Sequence, residues 1–244
     1  MPNPEDSRHI QEQQTETTIR SGEVAQKSWY RAGGIAALML AVAYIIIIPL
    51  YARVGAPPSG GGDAWFRYLP GKTPIWWTIL GLSVFTDFLF VPLALAFYVA
   101  LRRINNNAML LATAFVGLFV VLDLAVTWTH YGSVLILYDS YSKATDALQR
   151  TSYVAAANYA SAILTSRLEV VYAIVTLSLG ILLMGAVMLT GGLFNRATAY
   201  LALATGILGI VSLTGYSLAI IANAVFATAW LLFAAYGFYR LAQK

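Results

Sequence analysis

The stretch that decides the fold is ATAYLALATGILGIVSLTGYSLAIIANAVFATAWLLFAAYGFY, residues 197–239 of the chain. Its 43 residues are almost unbroken apolar sequence. A helix that crosses a membrane needs about 20 such residues, so this run is too long for a single crossing. It must fold back on itself, and the tetrapeptide Thr214-Gly215-Tyr216-Ser217 is the predicted turn.

Four more apolar segments come earlier in the chain, at residues 32–50, 75–101, 108–137 and 168–189. With the two halves of residues 197–239 they predict six transmembrane helices in an all-α, polytopic membrane bundle. The composition agrees, because 59% of the 244 residues are hydrophobic and only 11% are charged. Soluble domains carry about 25% charged residues. The lipid bilayer is therefore the predicted surrounding of most of the chain.

The predicted organisation has two parts. Residues 1–28 are polar and cannot bury a core, so we expect a mobile cytoplasmic tail. Residues 29–244 form the predicted six-helix domain, with two long outer connections at residues 52–74 and 138–167. The first connection joins a flexible glycine–proline half to an aromatic half, and we expect helix in the second. These connections could cap a cavity, or they could only seat the protein at the membrane surface.

Basic residues in the short connections set the predicted orientation. With the amino terminus inside, the cytoplasmic side carries Arg20, Lys27, Arg31, Arg102, Arg103, Arg196, Arg240 and Lys244. The opposite side also carries basic residues, mostly in the two long connections, which translocate regardless of charge: Arg53, Arg67, Lys72, Lys143, Arg150 and Arg167. An excess of Lys and Arg in short cytoplasmic loops is the usual asymmetry of membrane proteins. Six crossings return the carboxyl terminus to the side on which the chain began. We therefore expect both termini in the cytoplasm.

Two aspartates, Asp87 and Asp123, lie inside the predicted second and third helices. An ionisable residue at membrane depth is costly and marks a functional site by default. Each aspartate is 18 residues from Asn105, which is near the centre of the turn between these helices. At 1.5 Å per residue, both lie about 27 Å from that turn and therefore at equal depth. If the carboxylates face each other, they cannot both ionise cheaply, and a shared proton or a bound cation becomes the stable state.

Polar neighbours complete the candidate buried site for a proton or a small cation. Ser83 is one helical turn from Asp87, Thr127 is one turn from Asp123, and Asn223 lies in the last apolar segment. In the alternative interpretation, each aspartate is protonated or bonded to hydroxyl and backbone groups, and it only ties helices together.

A second candidate site lies at the outer ends of the third and fourth helices. His130, Arg167 and Glu169 could form an outer gate or a point of proton entry. The simpler interpretation is a local ion pair or interfacial anchor at Arg167 and Glu169, with His130 acting as a hydrogen-bonded aromatic residue. The sequence leaves both interpretations open.

Composition also excludes several chemistries. Cysteine is absent, which excludes disulfides, thiolate metal sites, iron–sulfur clusters and cysteine nucleophiles. With only His9 and His130, the chain cannot hold a haem between two intramembrane histidines, and a zinc site is not expected. No catalytic motif is present, and the scattered basic residues do not indicate nucleic acid binding. We therefore expect no cofactor, no metal and no catalytic residue, and an enzyme is the least favoured class.

Four stretches resemble an uncharacterised family of bacterial multi-pass membrane proteins, domain of unknown function 4386. They are LALAFYVALRRINNNAMLLA at residues 93–112, GGLFNRAT at 191–198, LATGILG at 203–209 and WLLFAAYGFYRL at 230–241. The first is similar to that family's helix, basic turn and helix unit, and the last to its closing helix. The resemblance implies a helical domain in the bacterial inner membrane. It supplies no activity and no catalytic residue.

Two functions remain in competition. In the first, the buried proton or cation site is coupled to transport of a small solute. In the second, the chain is an accessory or structural subunit that acts with a membrane protein partner or as a homo-oligomer. The position of the two carboxylates separates these hypotheses, because carboxylates that point to different helix interfaces would contradict the first.

Overall fold

Helices account for the fold because backbone groups in an apolar surrounding must be bonded within their own segment. The structure is a computed structural model that describes the backbone of residues 4–215 and 217–244 and the side chains of residues 24–215 and 218–244. No strand is found in these described residues. The helices are α1 (Pro4–Val54), α2 (Gly62–Tyr68), α3 (Thr73–Leu101), α4 (Asn106–Leu122), α5 (Thr129–Lys143), α6 (Ala147–Leu164), α7 (Arg167–Val170), α8 (Thr176–Gly191), α9 (Arg196–Val211) and α10 (Ser217–Gln243).

Six helical stretches are long and apolar enough to cross a membrane. The first to sixth spans are Val24–Val54, Thr73–Leu101, Asn106–Lys143, Arg167–Gly191, Arg196–Thr214 and Leu218–Gln243. The third and fourth spans are continuous because π-helical segments, Asp123–Trp128 and Val171–Val175, join their α-helical parts. The prediction of an all-α polytopic bundle with six transmembrane helices is confirmed.

Local signals end the spans where the sequence predicts turns. Asn105 caps α4 by accepting a hydrogen bond from the Ala108 amide. The run 197–239 breaks after the 3-10 turn Ser212–Thr214, where Gly215 has φ of 73°. A left-handed φ favours glycine, which explains the position of the break. The predicted turn is therefore present, although its third residue, Tyr216, lies outside the described residues.

The six spans form a closed ring in chain order. Each span packs against the next one in the sequence, and the sixth packs against the first. The closing contact is close because glycine lies at Gly33 and Gly34, where the first span meets Phe238 of the sixth. Tyr30 also contacts Phe238, at 6.3 Å between ring centroids. The ring gives the bundle an inner side on which residues of all six spans can meet.

One end of the ring, the basic end, holds the turns that carry Arg102, Arg103 and Arg196 and the end of α10 at Arg240. Aromatic side chains fill the ring at this end. Phe97 stacks on Trp230 with their rings 5.7 Å apart, and Phe194 and Phe238 pack around Phe97. All four aromatic side chains are almost completely buried. The basic end is therefore tightly packed.

The opposite end is covered by a cap, which we define as residues 55–69 together with α6. The Gly62 amide donates to Asn158 Oδ1 at 2.7 Å, and the Ser161 hydroxyl donates to the Gly60 carbonyl. The Tyr68 hydroxyl donates to the carbonyl of Val54, at the end of the first span. Burial raises the pKa of Tyr68, so the phenol remains a neutral donor. Hydrogen bonds thus tie the glycine-rich segment to α6.

Two domain predictions remain, a helix in residues 138–167 and a mobile tail at residues 1–28. Helix is present in residues 138–167, where α5 continues to Lys143 and α6 covers Ala147–Leu164. The backbone of α1 begins at Pro4, within the predicted tail of residues 1–28. Residues 1–3 and the side chains of residues 1–23 lie outside the described part, so the mobility of the tail stays a prediction.

A candidate buried carboxyl site

Asp87 and Asp123 come together inside the ring. Asp87 lies in the middle of α3, and Asp123 is the first residue of the π-helical segment in the third span. Their side chains are 3% and 4% exposed, so both are removed from solvent. The two carboxyl groups lie close enough to interact directly. The sequence predicts that the two aspartates lie at equal depth. The structure adds that their side chains face each other, which the sequence could not show.

Each of the two aspartates keeps one oxygen without a partner. Asp87 Oδ2 and Asp123 Oδ1 are buried and accept no hydrogen bond from any described group. Buried polar atoms are paired in the great majority of cases, and an unpaired one needs an explanation. Two such atoms at one place indicate that a proton, a cation or a donor from outside the chain completes the site.

Trp128 supplies the hydrogen bond that the pair does have. Its indole Nε1 donates to Asp123 Oδ2 at 3.0 Å and lies within reach of Asp87. Trp128 follows Asp123 by five residues, which in an α-helix would place the two side chains about 140° apart. The π-helical segment brings position i+5 over position i and makes this contact. Sequence reasoning with α-helical spacing missed Trp128 for this reason.

Thr127 connects the aspartate pair to a third carboxyl group. Its hydroxyl donates to Glu169 Oε1 at 3.4 Å and also lies within reach of Asp123. Glu169 is placed by Ser166, whose hydroxyl caps the fourth span and accepts from the Glu169 amide. The sequence assigned Glu169 to a separate outer gate. The structure instead joins it to the buried site through Thr127.

Three tyrosines lie near the carboxyl groups, and sequence reasoning missed all of them. Tyr44 lies near both aspartates, and Tyr51 and Tyr131 lie near Asp123 and Glu169. They belong to the first and third spans. Spacing along one helix cannot show such a set, because Tyr44 and Tyr51 reach the site only when the ring brings the first span against the second.

Ser83 and Asn223, the other two predicted members of the buried site, lie at two different places in the ring. Ser83 is buried one turn from Asp87, and its carbonyl accepts the Thr86 hydroxyl. Asn223 donates through Nδ2 to the Thr205 carbonyl at 2.7 Å, between the fifth and sixth spans. No hydrogen bond joins Asn223 to an aspartate among the described side chains. It is therefore a helix contact at a second polar position in the ring.

The predicted outer gate is divided in the structure. Arg167 is exposed, and His130 packs against Tyr159 with its Nδ1 against the Val126 carbonyl. The ion pairs found in the described part of the chain are Asp63–Arg67 and Asp139–Lys143, so Arg167 is not paired with Glu169 there. Only Glu169 of these three reaches the carboxyl pair.

The assembled site is acidic and contains no metal cluster of protein ligands. Within residues 24–215 and 218–244, no group of three or more His, Cys, Asp or Glu side chains converges on a point that could hold a metal ion. Asp87 and Asp123 face each other, and Glu169 is connected through a hydroxyl group. Such an arrangement can share a proton between carboxyl groups or hold a monovalent cation.

Comparison of the chain with protein-family models, with curated proteins and with solved structures gives no match. The resemblance to domain of unknown function 4386 therefore stays a prediction. The class follows from the fold, because six apolar helices of this length define a multi-pass α-helical membrane protein.

Proposed function

We propose that this protein binds a proton or a small cation at Asp87 and Asp123 and couples its movement to transport of a small solute. The observation that supports the proposal is the buried pair with two unpartnered carboxyl oxygens. Uncompensated charge at this depth is strongly unfavourable. No described lysine or arginine forms an ion pair with either aspartate. A proton or cation from solution is the group that can neutralise the pair.

A path to the pair from the cap end supports transport rather than a closed structural contact. Thr127 links Asp123 to Glu169, which is in the first turn of the fourth span. A hydroxyl group both donates and accepts, so it can pass a proton between carboxyl groups. Glu169 is only half-buried, whereas the aspartates are buried. The three groups thus form a sequence from a more exposed to a fully buried position.

The two ends of the ring are packed differently, as alternating access requires. None of the residues 167–175 is buried, whereas α8, the remainder of the fourth span, has eight buried residues, so this span is packed less tightly near the cap. At the basic end, Phe97, Trp230 and Phe238 close the ring. This conformation is therefore proposed as the one in which the site faces the cap end. Separation of the aromatic side chains at the basic end would give the opposite state.

The proposed location is the bacterial inner membrane, with the basic end and both termini in the cytoplasm. Arg102, Arg103, Arg196 and Arg240 at one end support this orientation. A fluorescent protein fused after Lys244 should fold and fluoresce. Alkaline phosphatase, which needs the outer side, should be active when inserted at Ser59 in the cap. If alkaline phosphatase were active after Lys244 and the fluorescent protein fluoresced at Ser59, the orientation would be the reverse of the one proposed.

The proposal is tested by reconstituting the purified protein in liposomes that contain a pH-sensitive dye. An imposed proton or sodium gradient should give flux, and Asp87→Asn or Asp123→Asn should abolish it, because each removes the shared negative charge. Asp139→Asn is the matched control, since Asp139 is an exposed residue paired with Lys143. Flux that continues in both site variants would contradict the proposed role.

The competing function is an accessory subunit that acts with a membrane protein partner or as a homo-oligomer. It predicts no flux from the reconstituted chain and stable copurification of a partner. The hydrogen bond that Asp123 makes with Trp128 does not favour it, because both residues are in the same helix and the bond connects no two spans.

A further inference from the structure

Asp87 and Asp123 lie on the faces by which the second and third spans pack together. The rings of Phe90 and Phe119 are 5.5 Å apart, and these residues lie one helical turn from Asp87 and Asp123, toward the basic end. The ring contact and the two aspartates therefore share one helix interface. The two carboxyl groups are within hydrogen-bonding reach of each other.

The two unpartnered oxygen atoms of this pair fit a proton. Asp87 Oδ2 and Asp123 Oδ1 accept no hydrogen bond from a described group, and both have almost no accessible surface. A proton needs no cavity, because it lies within a hydrogen bond between the two carboxyl groups. One carboxyl group then donates and the other accepts, so a single proton gives both a partner. Hydrogen bonds to a carboxylate are about twice as strong as those between neutral groups.

The surroundings of the pair do not suit a metal cation. Trp128 Nε1 donates to Asp123 Oδ2 at 3.0 Å, so a positively polarised hydrogen already lies on that oxygen. Metal cations gather several oxygen ligands, about six to eight for Ca²⁺. The pair offers two free oxygens, and within residues 24–215 and 218–244 no third acidic or histidine side chain completes a metal-binding group. These groups are too few for a cation and sufficient for a proton.

We propose that Asp87 and Asp123 together hold one proton, carried by Asp87, and that this proton rather than a metal cation is the ion that drives transport. The inference rests on the proposed function and names its coupling ion. Asp123 keeps the negative charge because Trp128 donates to it and the Thr127 hydroxyl lies within reach of it. One proton on two facing carboxyl groups also avoids two adjacent buried charges.

A proton can reach the pair along hydrogen bonds, without a passage wide enough for a metal ion. In the structure, Thr127 donates to Glu169 Oε1 at 3.4 Å and lies within reach of Asp123. When Glu169 takes up a proton from solution, it donates that proton to the Thr127 oxygen, and Thr127 passes its own proton to Asp123. Glu169 is then a carboxylate again, the hydroxyl group is restored, and the pair has gained one proton.

The test is infrared spectroscopy of the purified full chain in detergent at neutral pH, because neutral carboxyl groups and carboxylates absorb in separate regions. The unmodified protein should show a neutral carboxyl band that shifts in D₂O, and Asp87→Asn should remove one such group per chain. The asparagine amide can donate to Asp123 as the protonated carboxyl group does, so the fold should be retained. Asp139→Asn is the matched control, since Asp139 is exposed and paired with Lys143 and its loss should reduce only the carboxylate band.

Sodium provides a second measurement, which needs no variant. Sodium chloride, compared with choline chloride at the same ionic strength, should leave the neutral carboxyl band unchanged. A band that sodium abolishes would show that a metal cation displaces the proton, and it would overturn the inference. A neutral band that is absent, or that Asp87→Asn leaves intact, would overturn it as well.

Flux in liposomes separates this inference from the proposed function. A proton gradient should drive flux, and a sodium gradient at equal pH on both sides should not. Sodium-driven flux that Asp87→Asn abolishes would overturn the assigned coupling ion and leave the proposed function standing. A neutral band that Asp87→Asn removes, in a protein without flux under either gradient, would support the shared proton and contradict the proposed transport.

Discussion

At the residue scale, Asp87 occupies a position that disfavours its own charge. It is 97% buried, faces a second carboxyl group and keeps an oxygen without a partner. Replacing it by asparagine removes a charge while keeping the shape. Because a buried unpaired group is unfavourable, we expect Asp87→Asn to raise the free energy of unfolding by about 1–3 kcal/mol. Thermal melting in detergent measures this change.

The matched control for that experiment is Asp139→Asn, which removes an exposed carboxylate from an i,i+4 ion pair and should change stability by less than about 0.5 kcal/mol. A protein of this length shifts its melting temperature by about 2–4 °C per kcal/mol, so the two variants are distinguishable. A lower melting temperature for Asp87→Asn would show that Asp87 is a structural tie between helices.

The second residue-scale prediction concerns Trp128. Trp128→Phe keeps an aromatic ring against Tyr131 but removes the donor to Asp123 Oδ2. The carboxyl group then loses its indole partner, and we expect a loss of about 1–3 kcal/mol in stability, measured by thermal melting. Trp77→Phe is the control, because Trp77 is 43% exposed on the surface of α3. Equal melting temperatures for the two variants would contradict the assigned role of the indole.

At the element scale, the cap depends on the close approach of α2 to α6. A Cβ at Gly62 would lie 2.5 Å from the Val154 carbonyl and 2.6 Å from Ala157 Cβ. Gly62→Ala should therefore separate the two helices and destabilise the protein by about 1–3 kcal/mol. Hydrogen exchange should increase in residues 55–61, which the cap holds against α6.

Gly81→Ala and Gly117→Ala are the controls for the cap, because a Cβ at either position meets no atom within 4 Å. Both lie inside spans, where alanine is the better helix former, so these variants should retain or increase stability. Unchanged exchange in residues 55–61 of Gly62→Ala would mean that the contact with α6 does not hold the cap.

The sequence predicts the structural elements that are determined by residues close together in the chain. Apolar length defines the six spans, and Asn105 and Gly215 mark turns through caps and left-handed backbone. It does not predict the π-helical segments, because packing between helices determines where a helix accommodates one more residue per turn. Trp128 was missed with them. Glu169 was found but assigned to another site, since its link through Thr127 crosses between the third and fourth spans.

At the scale of the whole molecule, the ring is closed by the contact between the first and sixth spans. A Cβ built at Gly34 lies 3.4 Å from Phe238 Cβ, close to the separation found in disulfides. The chain has no cysteine, so two introduced cysteines are the only thiols present. We expect the Gly34→Cys, Phe238→Cys double variant to oxidise within one chain. The measurement is loss of labelling by a thiol reagent and its return after reduction.

The control pairs Gly34→Cys with Tyr236→Cys. Tyr236 is 63% exposed on the outer face of α10, so its thiol should stay reactive under the same oxidation. Equal oxidation of both pairs would show that the first and sixth spans do not have a fixed contact. If disulfides formed only between separate chains, the contact between the first and sixth spans would be intermolecular, and the ring would not be closed within one chain.

The two π-helical segments have a consequence for how the chain can change in length. Each is the form that one surplus residue takes in a helix, and the two segments contact each other between the third and fourth spans. Losing one residue from Asp123–Trp128 would leave a span that is still apolar and still long enough to cross a membrane. In the shortened α-helix Trp128 would be four positions after Asp123 and about 40° around the axis, so the indole would stay on the same face as the carboxyl group. The contact between Trp128 and Asp123 therefore depends on the surplus residue only while the segment has its present length.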